Sequence, residues 1–162
     1  MDEKTQENKH KGHLFETYVI KRFCNEKCTL LEWRSDKEIE GPIYPLSNTY
    51  PDTLFQISRN NIHLTFAIEC KWRTRLKTYS KNITQVNKFQ LSHYQAYGDT
   101  HNVPVLLALG VGGQPDSPES LYLIPVHAIE KDQTSLDFIE RYKIGNTTPI
   151  TDFFLNLLTQ PN

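Results

Sequence analysis

Two strand-like runs, Thr53–Ser58 and Ile62–Cys70, flank Arg59-Asn60-Asn61, and their alternation of side chains constrains this chain more than any other feature. Strand side chains alternate with period two, so a one-residue slip would exchange the two faces completely. Asn60-Asn61 reads as a two-residue hairpin turn, because asparagine tolerates the positive φ such turns demand. That turn sets Asp52 opposite Glu69, with Lys71 two residues further along the same face. The other face is apolar: Phe55, Ile57, Ile62, Leu64, Phe66 and Ile68. A longer loop with a bulge would shift the match by one or two positions. The bland alternative is an edge hairpin carrying a surface salt bridge, but Glu69 and Lys71 end a strongly apolar strand, where surface charges have little reason to cluster. Two carboxylates and an ammonium on one patch suit a metal ion and a water.

At 162 residues, 38% hydrophobic and 23% charged, the chain is expected to be one soluble globular domain over 1–162, with the polar segment 1–11 fraying. It has no apolar run of membrane-spanning length, so a membrane partner is not expected. The charged N-terminus does not read as a signal peptide. Cys24, Cys28 and Cys70 lack a second pair at zinc spacing and are expected to be reduced thiols of a cytoplasmic protein, Cys24 half-buried on a helix and Cys28 near its end.

The net charge of −1 offers no global attraction to a polyanion. Locally the balance differs. Lys71, Arg73, Arg75, Lys77, Lys81 and Lys88 share with Trp72 and Tyr79 a stretch that contains no acidic residue. Basic side chains interleaved with aromatics suit a phosphate backbone and unstacked bases, although a solvated loop has the same composition.

Helical spacing of Leu14, Phe15, Tyr18, Val19 and Phe23 predicts a first helix over Gly12–Asn25, with Glu16 beside its apolar stripe. A strand over Cys28–Arg34 precedes an irregular segment, Ser35–Tyr50, broken by Gly41-Pro42 and Pro45. After the hairpin, helical periodicity resumes over Ile83–Tyr97 and stops at Gly98. Val103–Val111 reads as a strand buried on both faces, Leu121–Val126 as another strand, and Ser135–Tyr142 and Ile150–Leu158 as short helices. A helix crossing between Cys70 and Val103 makes the flanking strands parallel, whereas the hairpin is antiparallel. The fold class is therefore α/β, a mixed sheet with helices on its faces.

Asp52 and Glu69 supply hard oxygen ligands of the kind Mg²⁺ takes, with Mn²⁺ able to substitute. Lys71 adds a compact positive charge that could orient a water or balance a pentavalent phosphoryl transition state. These parts suit metal-assisted phosphodiester hydrolysis. Glu16 completes the set if the first helix packs beside the hairpin's active face.

Pro51-Asp52 followed by Glu69-Cys70-Lys71 resembles the PD-(D/E)xK motif of restriction-endonuclease-like nucleases. Gly12-His13-Leu14-Phe15-Glu16 resembles the Gly-x-x-Phe-Glu opening of their Mrr-like and Holliday-junction-resolvase-like branches. The resemblance covers Gly12 to about Val111. It implies a restriction-endonuclease-like core, with Asp52, Glu69 and the Cys70 carbonyl as metal ligands, Lys71 acting on the water, and Glu16 joining the site. Gln90-Leu91-Ser92-His93-Tyr94 is similar to the Gln-x-x-x-Tyr element of RecB-like and CRISPR-associated exonucleases, and Gln85 and Lys88 compete with Gln90 as an auxiliary polar residue. The near-neutral charge departs from strongly basic junction resolvases.

The resulting expectation is a Mg²⁺-dependent DNA endonuclease of a restriction or defence setting, with Arg73, Arg75, Lys77 and Lys88 on the nucleic acid. A homodimer would let two such sites cut two strands. A catalytically inactive binding module on the same fold, and an RNA- or single-strand-specific nuclease, stand as alternatives.

Overall fold

A computed structural model of the chain describes residues 3–24, 28–34, 49–59, 61–77, 86–130, 135–145 and 147–159. Its elements run α1 (Glu3–Phe23), β1 (Cys28–Trp33), β2 (Thr53–Arg59), β3 (Ile62–Arg73), α2 (Lys88–His101), β4 (Val105–Val111), β5 (Ser120–Pro125), α3 (Leu136–Glu140), β6 (Lys143–Ile144) and α4 (Ile150–Thr159). The six strands form one sheet in chain order, parallel between β3 and β4 and antiparallel elsewhere. Among the described residues no helix is long and apolar enough to cross a membrane.

The hairpin has the register its sequence implies. Thr53 pairs with Ile68 and each following pair tightens toward Arg59 opposite Ile62, while Asn61 takes the positive φ of 66° that the turn requires. Phe55, Ile57, Phe66 and Ile68 are all fully buried beneath α1. There Phe23 lies 5.2 Å from Phe55 and 5.7 Å from Phe66, ring centre to ring centre. Each such buried side chain contributes about 1.5–3 kcal/mol. The opposite face packs Ala67 with Leu91, Tyr94 and Tyr97 of α2 and with Val105 and Leu107 of β4. β4 is buried almost throughout, as its unbroken apolar run implies.

α1 approaches the sheet closely because β4 has a glycine beneath it. A Cβ at Gly110 would overlap the Phe15 ring. Phe15 is therefore seated on β4, and the next residue, Glu16, is carried to the end of β3.

Several boundaries differ from the sequence reading. α1 begins at Glu3, not Gly12, so the segment expected to fray is helical from its third residue. A Glu7–Lys11 ion pair of 2.6 Å at i, i+4 spacing supports it. α2 runs through Gly98 to His101 and is capped by Asn102 in the left-handed conformation, φ 52°. Gly98 serves close packing instead of capping, since a Cβ there would lie 3.0 Å from the Val103 carbonyl oxygen. Cys24, expected half-buried on the helix, is exposed just beyond α1, and Cys28, expected near that helix's end, is buried where β1 opens. Lys81 and Gln85, Tyr79, and 35–48 of the expected loop lie outside the described residues.

Candidate functional site

Pro51 and Asp52 enter β2 from a backbone position fixed by β1. The Arg34 N–H donates to the Asp52 carbonyl at 2.7 Å, and Arg34 Nη1 donates to the Pro51 carbonyl at 2.9 Å. The same guanidinium lies 5.5 Å from the Tyr50 ring centre and 5.4 Å from that of Tyr97. This clasp delivers the Asp52 side chain to β3, where its Oδ2 accepts the Cys70 backbone N–H at 2.7 Å.

Alternation along β3 turns Glu69 and Lys71 toward α2 and Cys70 and Trp72 toward α1. Glu69 is 6% exposed. Its Oε1 accepts from Lys71 Nζ at 3.0 Å and from the Tyr94 hydroxyl at 2.5 Å. α1 packs on the apolar face of the hairpin, not beside its active face as expected, yet Glu16 lines the same cleft and accepts the Trp33 indole N–H at 2.7 Å. The Trp33 ring in turn stacks on His13, 5.0 Å between centres.

Glu16, Asp52, Glu69, Lys71, Gln90 and Tyr94 line one cleft of about 460 Å³. Its electrostatics are those of crowded like charges. Burial pushes the Asp52 carboxyl well above its ordinary pKa, and the charges of Glu69 and Glu16 push it further; the Cys70 N–H and Lys71 only partly oppose them. Burial and the same carboxylates raise the Cys70 thiol. The Tyr94 phenol is raised by burial and by Glu69, which keeps it a proton donor.

The carboxylates are each engaged separately, and among the described residues no group of three His, Cys, Asp or Glu side chains is gathered around a point an ion could occupy. Arg73 is half-buried near the end of β3, Arg75 and Lys77 are exposed beyond it, and Lys88 is exposed at the start of α2. Gln90 has a second role besides lining the cleft. It closes a capping box with Asn87, its N–H donating to Asn87 Oδ1 at 2.8 Å and its own Oε1 accepting from Asn87 N at 3.4 Å.

Sequence reasoning missed Arg34, Tyr50, Tyr97 and Trp33. Helical phase puts Tyr94 one turn beyond Gln90, so a signal for it existed, but only the packed structure shows which oxygen it meets.

No family model matches the sequence, and no curated protein matches it either. Among solved structures, Hjc of Archaeoglobus fulgidus, a Holliday junction resolvase from an archaeal hyperthermophile, matches with a TM-score of 0.55. The match covers 86% of this chain and 98% of Hjc at 14% sequence identity. The fold is restriction-endonuclease-like. At that identity the likeness concerns the arrangement of the mixed sheet and its helices.

Proposed function

We propose that the protein is a divalent-metal-dependent nuclease that hydrolyses phosphodiester bonds of DNA. The observation that supports this most is the convergence of Glu16, Asp52, Glu69 and Lys71 on one cleft, from three elements, in a restriction-endonuclease-like fold.

The chemistry of the donors, carboxylates and a carbonyl on one cleft, is that of a hard cation's ligands, and binding one would draw together side chains that are engaged separately here. Burial and neighbouring charge penalise an ionised Asp52, and a divalent ion would relieve the strain that Lys71 only partly relieves. Asp52, Glu69 and the Cys70 carbonyl would hold it, with Glu16 completing the set. When bound, Mg²⁺, or Mn²⁺ in its place, would polarise a phosphoryl oxygen and acidify a water. Lys71, already 3.0 Å from Glu69, orients that water and balances charge developing on phosphorus. Tyr94 keeps Glu69 aimed into the cleft. Arg73, Arg75, Lys77 and Lys88 carry the flanking nucleic acid backbone. We assign the protein to the cytoplasm, where its three free thiols stay reduced, to a restriction or defence setting, and to a homodimer that presents two sites.

The test is cleavage of supercoiled plasmid, single-stranded DNA and RNA in Mg²⁺ or Mn²⁺, comparing wild type with Asp52→Ala and Lys71→Ala. Cleavage that falls at least a hundredfold in both variants supports the proposal. Equal cleavage by all three proteins would refute it. Preference within the panel separates duplex DNA from RNA and single strands.

One observation favours a second reading, a non-catalytic binding module: the Glu69–Lys71 ion pair occupies an oxygen a metal would need. Calorimetric titration decides between them, since a module of that kind binds nucleic acid without taking up Mn²⁺ at Asp52 and Glu69.

A further inference from the structure

We infer that a second cleft, continuous with the first, receives the phosphate next to the scissile one, and that the N-terminal turns of α1 form one wall of the nucleic-acid channel. This deepens the nuclease reading and rests on it. The second cleft, about 540 Å³, is lined by Asn8, Lys11, Gly12, Lys71 and Arg73 among others, and it shares Asn8, Gly12, Cys70 and Lys71 with the first.

The sign of charge changes across that shared boundary. The first cleft sets Glu16, Asp52 and Glu69 against Lys9 and Lys71; the second has no acidic lining residue and three basic ones, Lys11, Lys71 and Arg73. Such a division suits a strand whose reacting phosphate meets carboxylates through a cation while its neighbour meets positive charge, chiefly that of Arg73, since Lys11 is paired with Glu7 and Lys71 with Glu69.

Arg73 is placed for an anion. It is half-buried, none of the ion pairs among the described residues includes it, and its guanidinium donates only one described hydrogen bond, Nη1 to the Trp72 carbonyl at 2.7 Å. A partly desolvated guanidinium without a carboxylate is costly, and a phosphodiester matches its fork.

Gly12 supplies an independent observation. Glycine inside a helix costs about 1 kcal/mol relative to alanine. Here packing gives no reason for it, since a Cβ at Gly12 would meet nothing within 4 Å. Asn8, Gly12 and Glu16 recur at i, i+4 spacing along one face, so a side chain at the middle position would project into the shared boundary of the two clefts. Its absence lets a strand run against the helix backbone between Asn8 and Glu16.

Fluorescence anisotropy with labelled DNA in Ca²⁺, across a salt series, tests this on the full chain. Gly12→Glu should fold normally, because open space surrounds the site, yet bind DNA at least tenfold more weakly. Thr100→Glu, which adds the same charge at the far end of α2, should bind within twofold of wild type. Arg73→Ala should flatten the slope of log affinity against log salt by about 0.7–0.9, the loss of one phosphate contact. Asp52→Asn is assayed in parallel for cleavage. Undiminished cutting by Asp52→Asn would overturn the nuclease reading itself. Inactive Asp52→Asn together with wild-type affinity and salt slope in both Gly12→Glu and Arg73→Ala would overturn the second cleft alone.

Discussion

The Tyr94 hydroxyl and the Lys71 ammonium share a single acceptor, Glu69 Oε1, so one buried oxygen ties α2 to the end of β3. Removing one donor leaves the other to hold the carboxylate. Tyr94→Phe keeps the buried ring and deletes only the hydroxyl. We expect a loss of about 1–3 kcal/mol, the cost of a hydrogen bond to a charged group. Urea unfolding checks this: the midpoint should fall with the slope unchanged. Cleavage should fall as well, because Glu69 would no longer be held from two sides.

Trp33 bears on the site without belonging to the core. It is 39% exposed, yet it donates to Glu16 and stacks on His13. Trp33→Phe retains an aromatic ring and removes the donor. Stability should change by no more than about 0.5 kcal/mol, as for most surface substitutions. Mn²⁺ affinity, measured by calorimetry, should fall about 10- to 100-fold, as when a ligand loses the partner that orients it.

The pH dependence of stability follows from Asp52. Its folded-state pKa is raised above the unfolded value, so below the unfolded value the group is protonated in both states and contributes nothing. As pH rises past about 4, the unfolded chain ionises Asp52 while the folded chain still holds the proton, and stability falls until the folded pKa is passed. Asp52→Asn removes this penalty. Denaturation series from pH 3.5 upward should show the variant gaining on wild type as pH rises. Wild type should recover the difference at neutral pH when Mg²⁺ is added, because a ligand that binds only the folded state stabilises it.

Gly110→Ala tests how the core carries the site. A methyl group there collides with the Phe15 ring, and overpacking of this kind costs about 1–3 kcal/mol. Because Glu16 follows Phe15 on α1, lifting the helix should also lower cleavage. Thermal melting with a parallel cleavage assay measures both effects.

The hairpin was legible because two local facts agreed: a turn that Asn61 can close at positive φ, and an apolar set that only one register buries. The parallel β3–β4 pair followed from a helix lying between them. Other features lay outside local rules. The start of α1 hid behind a polar composition that serves equally for a loose tail. Gly98 looked like a stop signal, whereas its purpose is the approach of the Val103 carbonyl, a contact made only after folding. The capping box at Asn87 and Gln90 is present in the sequence, but Asn-x-x-Gln is too common a pattern to mark a helix start by itself. β6, two residues long, has too few side chains to show a period.

The candidate site divides in the same way. Parity along β3 sufficed for Glu69 and Lys71, and the turn for Asp52. Glu16 depends on how α1 docks, which Phe15 and Gly110 decide together. The Arg34 side chain's bond to the Pro51 carbonyl joins residues 17 apart in the chain across the segment between β1 and β2, and no periodicity announces it.

The most direct test is the anomalous difference map of a crystal soaked in Mn²⁺. We expect one strong peak in the cleft, about 2.1 Å from oxygens of Asp52 and Glu69, with the Cys70 carbonyl also in contact. A soaked crystal with no peak there, or with the ion held by other residues, would contradict the assignment of this cleft as a metal-dependent nuclease site.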